Sequence, residues 1–195
     1  MPLILPRAGE FELIEKKSRF IGRCTPVQTT GEAKAFIENV RAANRDANHN
    51  VFAYSVTENN VIRFNDDGEP SGTAGMPVLN VLQKAGVINF VCVVTRYFGG
   101  TLLGAGGLVR TYTKAAKGAM EAAGPEVLIV YTAYRVNCTY PNLDRVKYNF
   151  DKAGIEVLGW EYTEQCQAIV KIRADQAEAF FSGVFYTFDE LDLQK

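Results

Sequence analysis

The sequence has little that would support a metal centre, a disulfide framework or histidine chemistry. Its 195 residues include one histidine and four cysteines. The cysteines are far apart in the chain and form neither a CxxC pair nor a cluster with histidine, which excludes an ordinary zinc site. We expect reduced, mostly buried thiols, as in a reducing compartment, at Cys24, Cys92, Cys138 and Cys166.

Signals for export and for membrane insertion are also missing. Residues Met1 to Glu10 have neither the basic region nor the apolar region of a signal peptide. The longest apolar stretch, Val87 to Thr95, is interrupted by Asn89 and is too short to cross a bilayer as a helix. We therefore predict a cytoplasmic protein that does not contact a membrane.

The chain has no strong excess of charge of either sign. Its formal net charge is −1, which argues against a protein that coats nucleic acid without selectivity. The balance is uneven, since 14 Lys and Arg accompany 12 Asp and Glu up to Val130, against 7 and 10 from Tyr131 onward. We expect any basic binding surface to lie in the first part of the chain, and we expect no DNA specificity.

Hydrophobic periodicity and turn residues predict an alternation of strands and helices in the first part of the chain. Thr29 and Glu32 form a capping-box pattern that begins the first helix. The run Ile88 to Arg96 is almost continuously apolar, as in a strand buried on both faces. The predicted strands cover about 11–16, 19–25, 51–57, 61–65 and 88–96, and the predicted helices about 29–43, 77–84 and 108–123.

The second part of the chain has its own pattern of elements. We predict strands at 133–139, 155–162 and 167–173, helices at 142–153 and 176–184, and a short final strand. This βαββαβ order is typical of a ferredoxin-like module. The sequence therefore predicts an α+β protein with domains 1–130 and 131–195, the second being a binding or dimerisation module without a glycine-rich loop.

A glycine-rich turn between the buried strand and the following helix is the pattern of an anion site. Glycine lets backbone N–H groups approach phosphate, and the amino end of a helix adds partial positive charge. The pattern matches neither a P-loop nor a dinucleotide fingerprint, and tight strand–helix packing is the alternative explanation. The predicted anion-binding residues are Arg96, Gly99, Gly100, Gly104, Gly106, Gly107, Arg110 and Lys114.

Three carboxylates lie within four residues of one another, at Asp66, Asp67 and Glu69, beside the small hydroxyl residues Ser71 and Thr73. Carboxylates this close repel one another unless each has a partner. Backbone N–H groups of a turn are one such partner, pairing with Arg96 or Arg110 is a second, and Mg²⁺ is a third. No other cofactor is expected.

His49 is the only histidine, so any mechanism that needs an imidazole base must use it. Spacing assigns it no serine or cysteine partner, so we predict a structural or ligand-contacting role. Three aromatic residues could stack on bases, namely Tyr54, Tyr97 and Phe98.

The runs NDDGEPSGTAGMP (65–77) and VVTRYFGGTLLGAGGLVRTYTKAA (93–116) resemble the signature of the YigZ/IMPACT family, formerly an uncharacterised-protein family. The segment from Lys17 to Ile21, and His49 with Ala53 and Tyr54, are similar to further family motifs. Two positions differ from the usual pattern, with Met76 in place of a basic residue and Val51 in place of a cysteine.

This resemblance implies a first domain with the fold of the second domain of ribosomal protein S5. It implies a second, ferredoxin-like domain similar to the last domain of elongation factor G. It further implies a link to translation or RNA, without an established catalytic activity for bacterial members.

Three functions remain open from the sequence. The leading hypothesis is a non-enzymatic protein that binds RNA or the ribosome through phosphate contacts of the glycine-rich loop. The alternative is an enzyme acting on a phosphorylated small molecule, with Mg²⁺ or a proton handled by the acidic residues. A scaffold in which the loop only packs is the third.

Overall fold

The computed structural model describes residues 1–182 and 186–191. It divides the chain into two compact units, Met1–Leu128 and Ile129–Lys195, close to the boundary expected after residue 130. Both units combine helices with antiparallel sheet, so the predicted two-domain α+β class is confirmed at this level. Within the described residues, no helix is long and apolar enough to span a membrane.

The first unit is built on a five-stranded antiparallel sheet with strand order β2-β3-β6-β4-β5. A separate pair, β1 with β7, brings the two ends of the unit together. The strands are β1 (Leu3–Ile4), β2 (Gly9–Glu15), β3 (Ser18–Pro26), β4 (His49–Val56), β5 (Val61–Asn65), β6 (Phe90–Tyr97) and β7 (Glu126–Val127). The helices are α1 (Thr30–Ala43), α2 (Gly75–Lys84) and α3 (Ala105–Ala123).

Helices cover both faces of this sheet, and β6 lies at its centre. Cys92 and Val94 of β6 belong to the core cluster that contains α2 and α3 residues. Val91 and Val93 belong to the cluster on the opposite face, with Ile37 and other α1 residues. The prediction of a strand buried on both faces is therefore confirmed, because successive side chains of a strand point to opposite faces.

Local signals explain where α1 begins and where α3 ends. Thr29 Oγ1 accepts the Glu32 N–H at 3.1 Å, as the capping-box pattern predicts, although the Glu32 carboxylate accepts from Gln28 N–H. Helix α3 ends at Gly124, whose φ of +70° is the left-handed cap that glycine favours.

The second unit is a four-stranded antiparallel sheet with strand order β11-β8-β10-β9 and a core of its own. A short 3₁₀ turn at Tyr140–Asn142 precedes its first helix, which begins at Leu143, one residue after the predicted start. The predicted end of its last helix at Val184 lies outside the described residues. The elements are β8 (Tyr131–Cys138), α4 (Leu143–Ala153), β9 (Glu156–Tyr162), β10 (Cys166–Arg173), α5 (Ala174–Phe181) and β11 (Thr187–Leu191).

Candidate functional site

The segment between β5 and α2 folds into a tight turn that separates the three carboxylates. Asp67 and Gly68 have φ values of +47° and +87°, so two consecutive residues are left-handed. This reversal places the Asp66 carboxylate over the start of α2, where it accepts the N–H groups of Ala74 at 3.0 Å and Gly75 at 2.8 Å. Asp66 thus has the backbone N–H partners that were the first of the three alternatives.

Asp67 has a different set of partners. Its carboxylate accepts the Asn50 N–H at 2.6 Å and Arg41 Nη2 at 3.1 Å. Its carbonyl oxygen accepts a hydrogen bond from His49 Nδ1 at 2.8 Å. The Arg41 pair was not among the sequence-based alternatives, because Arg41 lies 26 residues away near the end of α1.

Glu69 is the centre of a buried polar group. Its Oε1 accepts Arg96 Nη1 at 2.5 Å and the Tyr112 hydroxyl at 2.7 Å. The side chains of Glu69 and Arg96 are only 3% and 6% exposed. Burial, with the adjacent Glu69 carboxylate, raises the pKa of the Tyr112 phenol far above its ordinary value, so this hydroxyl stays protonated and donates.

The three carboxylates are not arranged as a set of ligands for Mg²⁺. Each of the three carboxylates is committed to protein donors. Across residues 1–182 and 186–191, no group of three His, Cys, Asp or Glu side chains is placed to hold a metal ion. The pairing of Glu69 with Arg96 is the second of the sequence-based alternatives.

The glycines of the strand–helix turn have two different roles. A Cβ on Gly99 would overlap the backbone of Lys17, and the Gly99 N–H donates to Ser18 Oγ at 3.1 Å. Gly99 is therefore needed for close packing between two turns. Gly100 and Gly104 have φ values of +82° and +74°, which turn the chain from β6 into α3.

The amino end of α3 carries backbone donors without a side-chain cap. Its N-cap is Gly104, and the first intrahelical bond runs from Leu108 N–H to Gly104 O. The N–H groups of residues 105–107 therefore have no acceptor within the helix. Arg110 Nη1 lies 3.5 Å from the position of a Cβ on Gly106, so its guanidinium lies beside this first turn.

A cavity of about 380 Å³ separates the buried Glu69–Arg96 pair from the start of α3. The Arg96 guanidinium lies against two rings, with Cζ at 5.3 Å from the Phe20 centroid and 5.5 Å from the Phe98 centroid. Arg96 Nε is buried and has no hydrogen-bond partner in the part of the chain that the structure describes. The lining residues are Asn48, His49, Glu69, Pro70, Arg96, Phe98, Leu102, Leu103, Gly104, Ala105 and Leu108.

Several predicted site residues lie elsewhere. Tyr54 is buried in the core on the α1 side, and Thr73 Oγ1 is bonded to Pro70 O within the turn before α2. The Tyr97 hydroxyl donates to Asn44 Oδ1. Arg110 and Lys114 are exposed on α3 and do not line the cavity.

Sequence reasoning did not single out Ser18, Arg41 or Tyr112 as members of this site. Ser18 accepts a hydrogen bond from Gly99 N–H, and the Tyr112 hydroxyl donates to Glu69. Ser18 lies within the Lys17–Ile21 segment, so the family pattern was the available signal for it.

The fold and this site define a two-unit α+β protein in which a glycine-rich strand–helix turn faces a buried Arg–Glu pair. The profile of the Impact N-terminal domain matches residues 16–120, and that of a domain of unknown function (DUF1949) matches residues 136–181. The chain belongs to the IMPACT family.

Individual relatives agree with this assignment. The chain is 36% identical over 174 residues to the IMPACT family member YvyE of Bacillus subtilis, covering 89% of this chain and 80% of that one. It is 36% identical over 183 residues to the IMPACT family member YigZ of Escherichia coli, covering 92% and 89%. A crystal structure of a hypothetical protein, 30% identical, aligns over 98% of both chains with a TM-score of 0.63.

Proposed function

We propose that this chain is a translation-linked binding protein whose first unit contacts single-stranded RNA at the amino end of α3. The observation that carries the proposal is the uncapped first turn of α3, with the Arg110 guanidinium beside it. Free N–H groups, the helix dipole and an arginine together favour a phosphate group. Lys114 lies one turn further along the same helix and supplies a second phosphate contact.

The aromatic residue beside this turn favours a nucleic acid over a simple anion. Phe98 is 44% exposed and borders the same cavity as Gly104 and Ala105. Single-stranded nucleic acids are bound where cations follow the phosphates and aromatic rings accept bases. Tyr54 and Tyr97 do not contribute in this proposal, because their side chains are engaged in the core and with Asn44.

Arg96 has a supporting role in this proposal. It was predicted as a phosphate contact, but its guanidinium is buried and paired with Glu69. A phosphate would compete with that pair, so we assign the phosphate contacts to Arg110 and Lys114. Because Asp66, Asp67 and Glu69 all have protein partners, their geometry favours binding over Mg²⁺-dependent catalysis.

We also propose the finer fold assignments that the family resemblance implies. The β11-β8-β10-β9 order of the second unit is the order of a ferredoxin-like sheet and supports that assignment. The first unit is proposed to have the fold of the second domain of ribosomal protein S5.

The test is a comparison of two exposed cations on one helix. Arg110→Ala removes the proposed phosphate contact and should weaken binding of a labelled oligouridylate about tenfold, since hydrogen bonds to charged groups are strong. Lys117→Ala is the control, because Lys117 is exposed on α3 and pairs with Glu121. Fluorescence anisotropy measures both affinities, and equal affinities for the two variants would exclude the amino end of α3 as the site.

A further inference from the structure

The cavity beside α3 has the properties of a small-ligand pocket. Its volume of about 380 Å³ falls in the range of such pockets, and most of its walls are apolar. Pro70, Leu103, Leu108 and Phe98 contribute apolar surface, and the polar lining residues are Asn48, His49, Glu69 and Arg96. Apolar walls with a few polar groups suit an aromatic ring that carries polar atoms.

His49, which lines the cavity, offers a hydrogen-bond acceptor. His49 Nδ1 bonds to the Asp67 carbonyl oxygen, which can only accept, so Nδ1 carries the proton. In the neutral imidazole Nε2 then has a free lone pair. Its distance of 3.8 Å from Glu69 Oε1 is too long for a hydrogen bond, so Nε2 is left for a ligand donor.

Arg96, which also lines the cavity, offers a donor that has no partner among the described residues. Arg96 is 5% exposed, and its Nε has no acceptor among the described residues. A buried donor without a partner lowers stability, which an entering acceptor would reverse. The Arg96 guanidinium carbon lies 5.5 Å from the centroid of the Phe98 ring, and Phe98 is 44% exposed, so a ligand that displaces this ring can approach Arg96.

We propose that the cavity binds one nucleotide, with the base between Phe98 and Leu103 and its phosphate at the amino end of α3. A base edge supplies an N–H group for His49 Nε2 and an acceptor for Arg96 Nε, and its ring fits the apolar walls. This inference rests on the proposed function, to which it adds the recognition of a base. The nucleotide belongs to an RNA strand or is free in solution, and the experiment separates these sources.

The first experiment compares two 5′-labelled oligomers of equal length, oligouridylate and its fully abasic analogue, by anisotropy at low salt. Both carry the same phosphates, so base insertion predicts that the abasic strand binds at least tenfold more weakly. Equal affinities would overturn base recognition while leaving the phosphate-binding proposal intact. Failure of both strands to bind would overturn the RNA proposal.

The second experiment titrates uridine 5′-monophosphate and inorganic phosphate separately. Mononucleotide binding that exceeds phosphate binding supports the cavity as a nucleotide site. If the oligomers do not bind, this result identifies a free nucleotide as the ligand, so the inference survives and the RNA proposal fails. Equal affinities for the mononucleotide and phosphate would overturn the inference.

Single-residue variants test whether the base lies against His49 and Phe98. His49→Asn keeps a donor for the Asp67 carbonyl but lacks an atom at the position of Nε2, so it should weaken mononucleotide binding about threefold to tenfold. Phe98→Ala should weaken it about tenfold, whereas Phe64→Ala, which changes a ring of similar exposure on β5, should have no effect. Wild-type affinity in both His49→Asn and Phe98→Ala would overturn this placement of the base, provided thermal melts show that the variants are folded.

Discussion

At the scale of single residues, Glu69 and Arg96 form the interaction on which the site depends most. Both are nearly inaccessible to solvent, and Tyr112 shares the same carboxylate oxygen. Because a buried charge without its partner is costly, the effect of removing one member should far exceed that of a surface ion pair. The chain contains such a surface pair, Arg19 with Glu12, on neighbouring strands of the same sheet.

We predict that Arg96→Met destabilises the protein by about 3–5 kcal/mol, because the Glu69 carboxylate stays buried without its cation. Arg19→Met should cost about 0–1 kcal/mol, since its pair is half exposed. Urea denaturation of the two variants gives both free energies of unfolding. Similar losses in the two variants would contradict the central role of the buried pair.

The buried phenol of Tyr112 should make the free energy of unfolding depend on pH. The folded protein raises the pKa of this phenol, whereas in the unfolded chain it ionises above about pH 10. The stabilisation of the folded protein by the neutral phenol is therefore complete below about pH 10. Above that pH the free energy of unfolding falls by about 1.4 kcal/mol per pH unit. Tyr112→Phe should make the alkaline loss of unfolding free energy shallower by that amount, whereas Tyr148→Phe, at an exposed ring, should not. An unchanged slope in Tyr112→Phe would refute the assignment.

Sequence reasoning reached part of this site. It identified Asp66, Asp67 and Glu69 as candidate site residues. Backbone N–H groups and arginine were among the partners proposed for them. It did not assign one partner to each carboxylate, because two consecutive left-handed residues at Asp67 and Gly68 decide where each carboxylate points. The sequence also left Arg96 as a phosphate contact, since its burial depends on tertiary packing around β6.

At the scale of elements, the strongly patterned segments were predictable and the long-range pairings were not. The apolar run of β6 and the glycine-ended α3 carry their own signals. The sequence contains no signal for how the four cysteines are arranged in space. Cys24 lies opposite Cys92 and Cys138 lies opposite Cys166, as free buried thiols on adjacent strands whose register the sequence does not reveal.

The start of α2 gives a prediction at this scale. The Asp66 carboxylate accepts three backbone N–H groups, from Gly72, Ala74 and Gly75, so it acts as the cap of this helix. Asp66→Ala should lower the free energy of unfolding by about 1–2 kcal/mol, and Asp66→Asn, which keeps one acceptor oxygen, by less. Chemical denaturation checks this, and an Asp66→Ala variant as stable as wild type would show that the cap is dispensable.

At the scale of the whole molecule, the chain consists of two units with separate cores. The change in the order of predicted elements after residue 130 was the signal in the sequence for two units. The four described strands of the second unit, β8 to β11, pair with one another in a single sheet.

We predict that residues 129–195 fold alone, because their apolar cluster is formed within the unit. The isolated fragment should show cooperative thermal unfolding and the circular dichroism of an α+β fold. A random-coil spectrum without a transition would refute the independence of this unit. The corresponding fragment 1–128, which contains the candidate site, should retain oligouridylate binding.

The salt dependence of RNA binding tests the central claim most directly, because phosphate contacts release counterions from the strand. With Arg110 and Lys114 as the two contacts, the log–log slope of the oligouridylate binding constant against salt should be about −1.4, from about −0.7 per contact. Arg110→Ala should reduce the slope to about −0.7, and Lys117→Ala should leave it unchanged. A wild-type slope near zero, or the same slope in Arg110→Ala as in wild type, would contradict phosphate recognition at the amino end of α3.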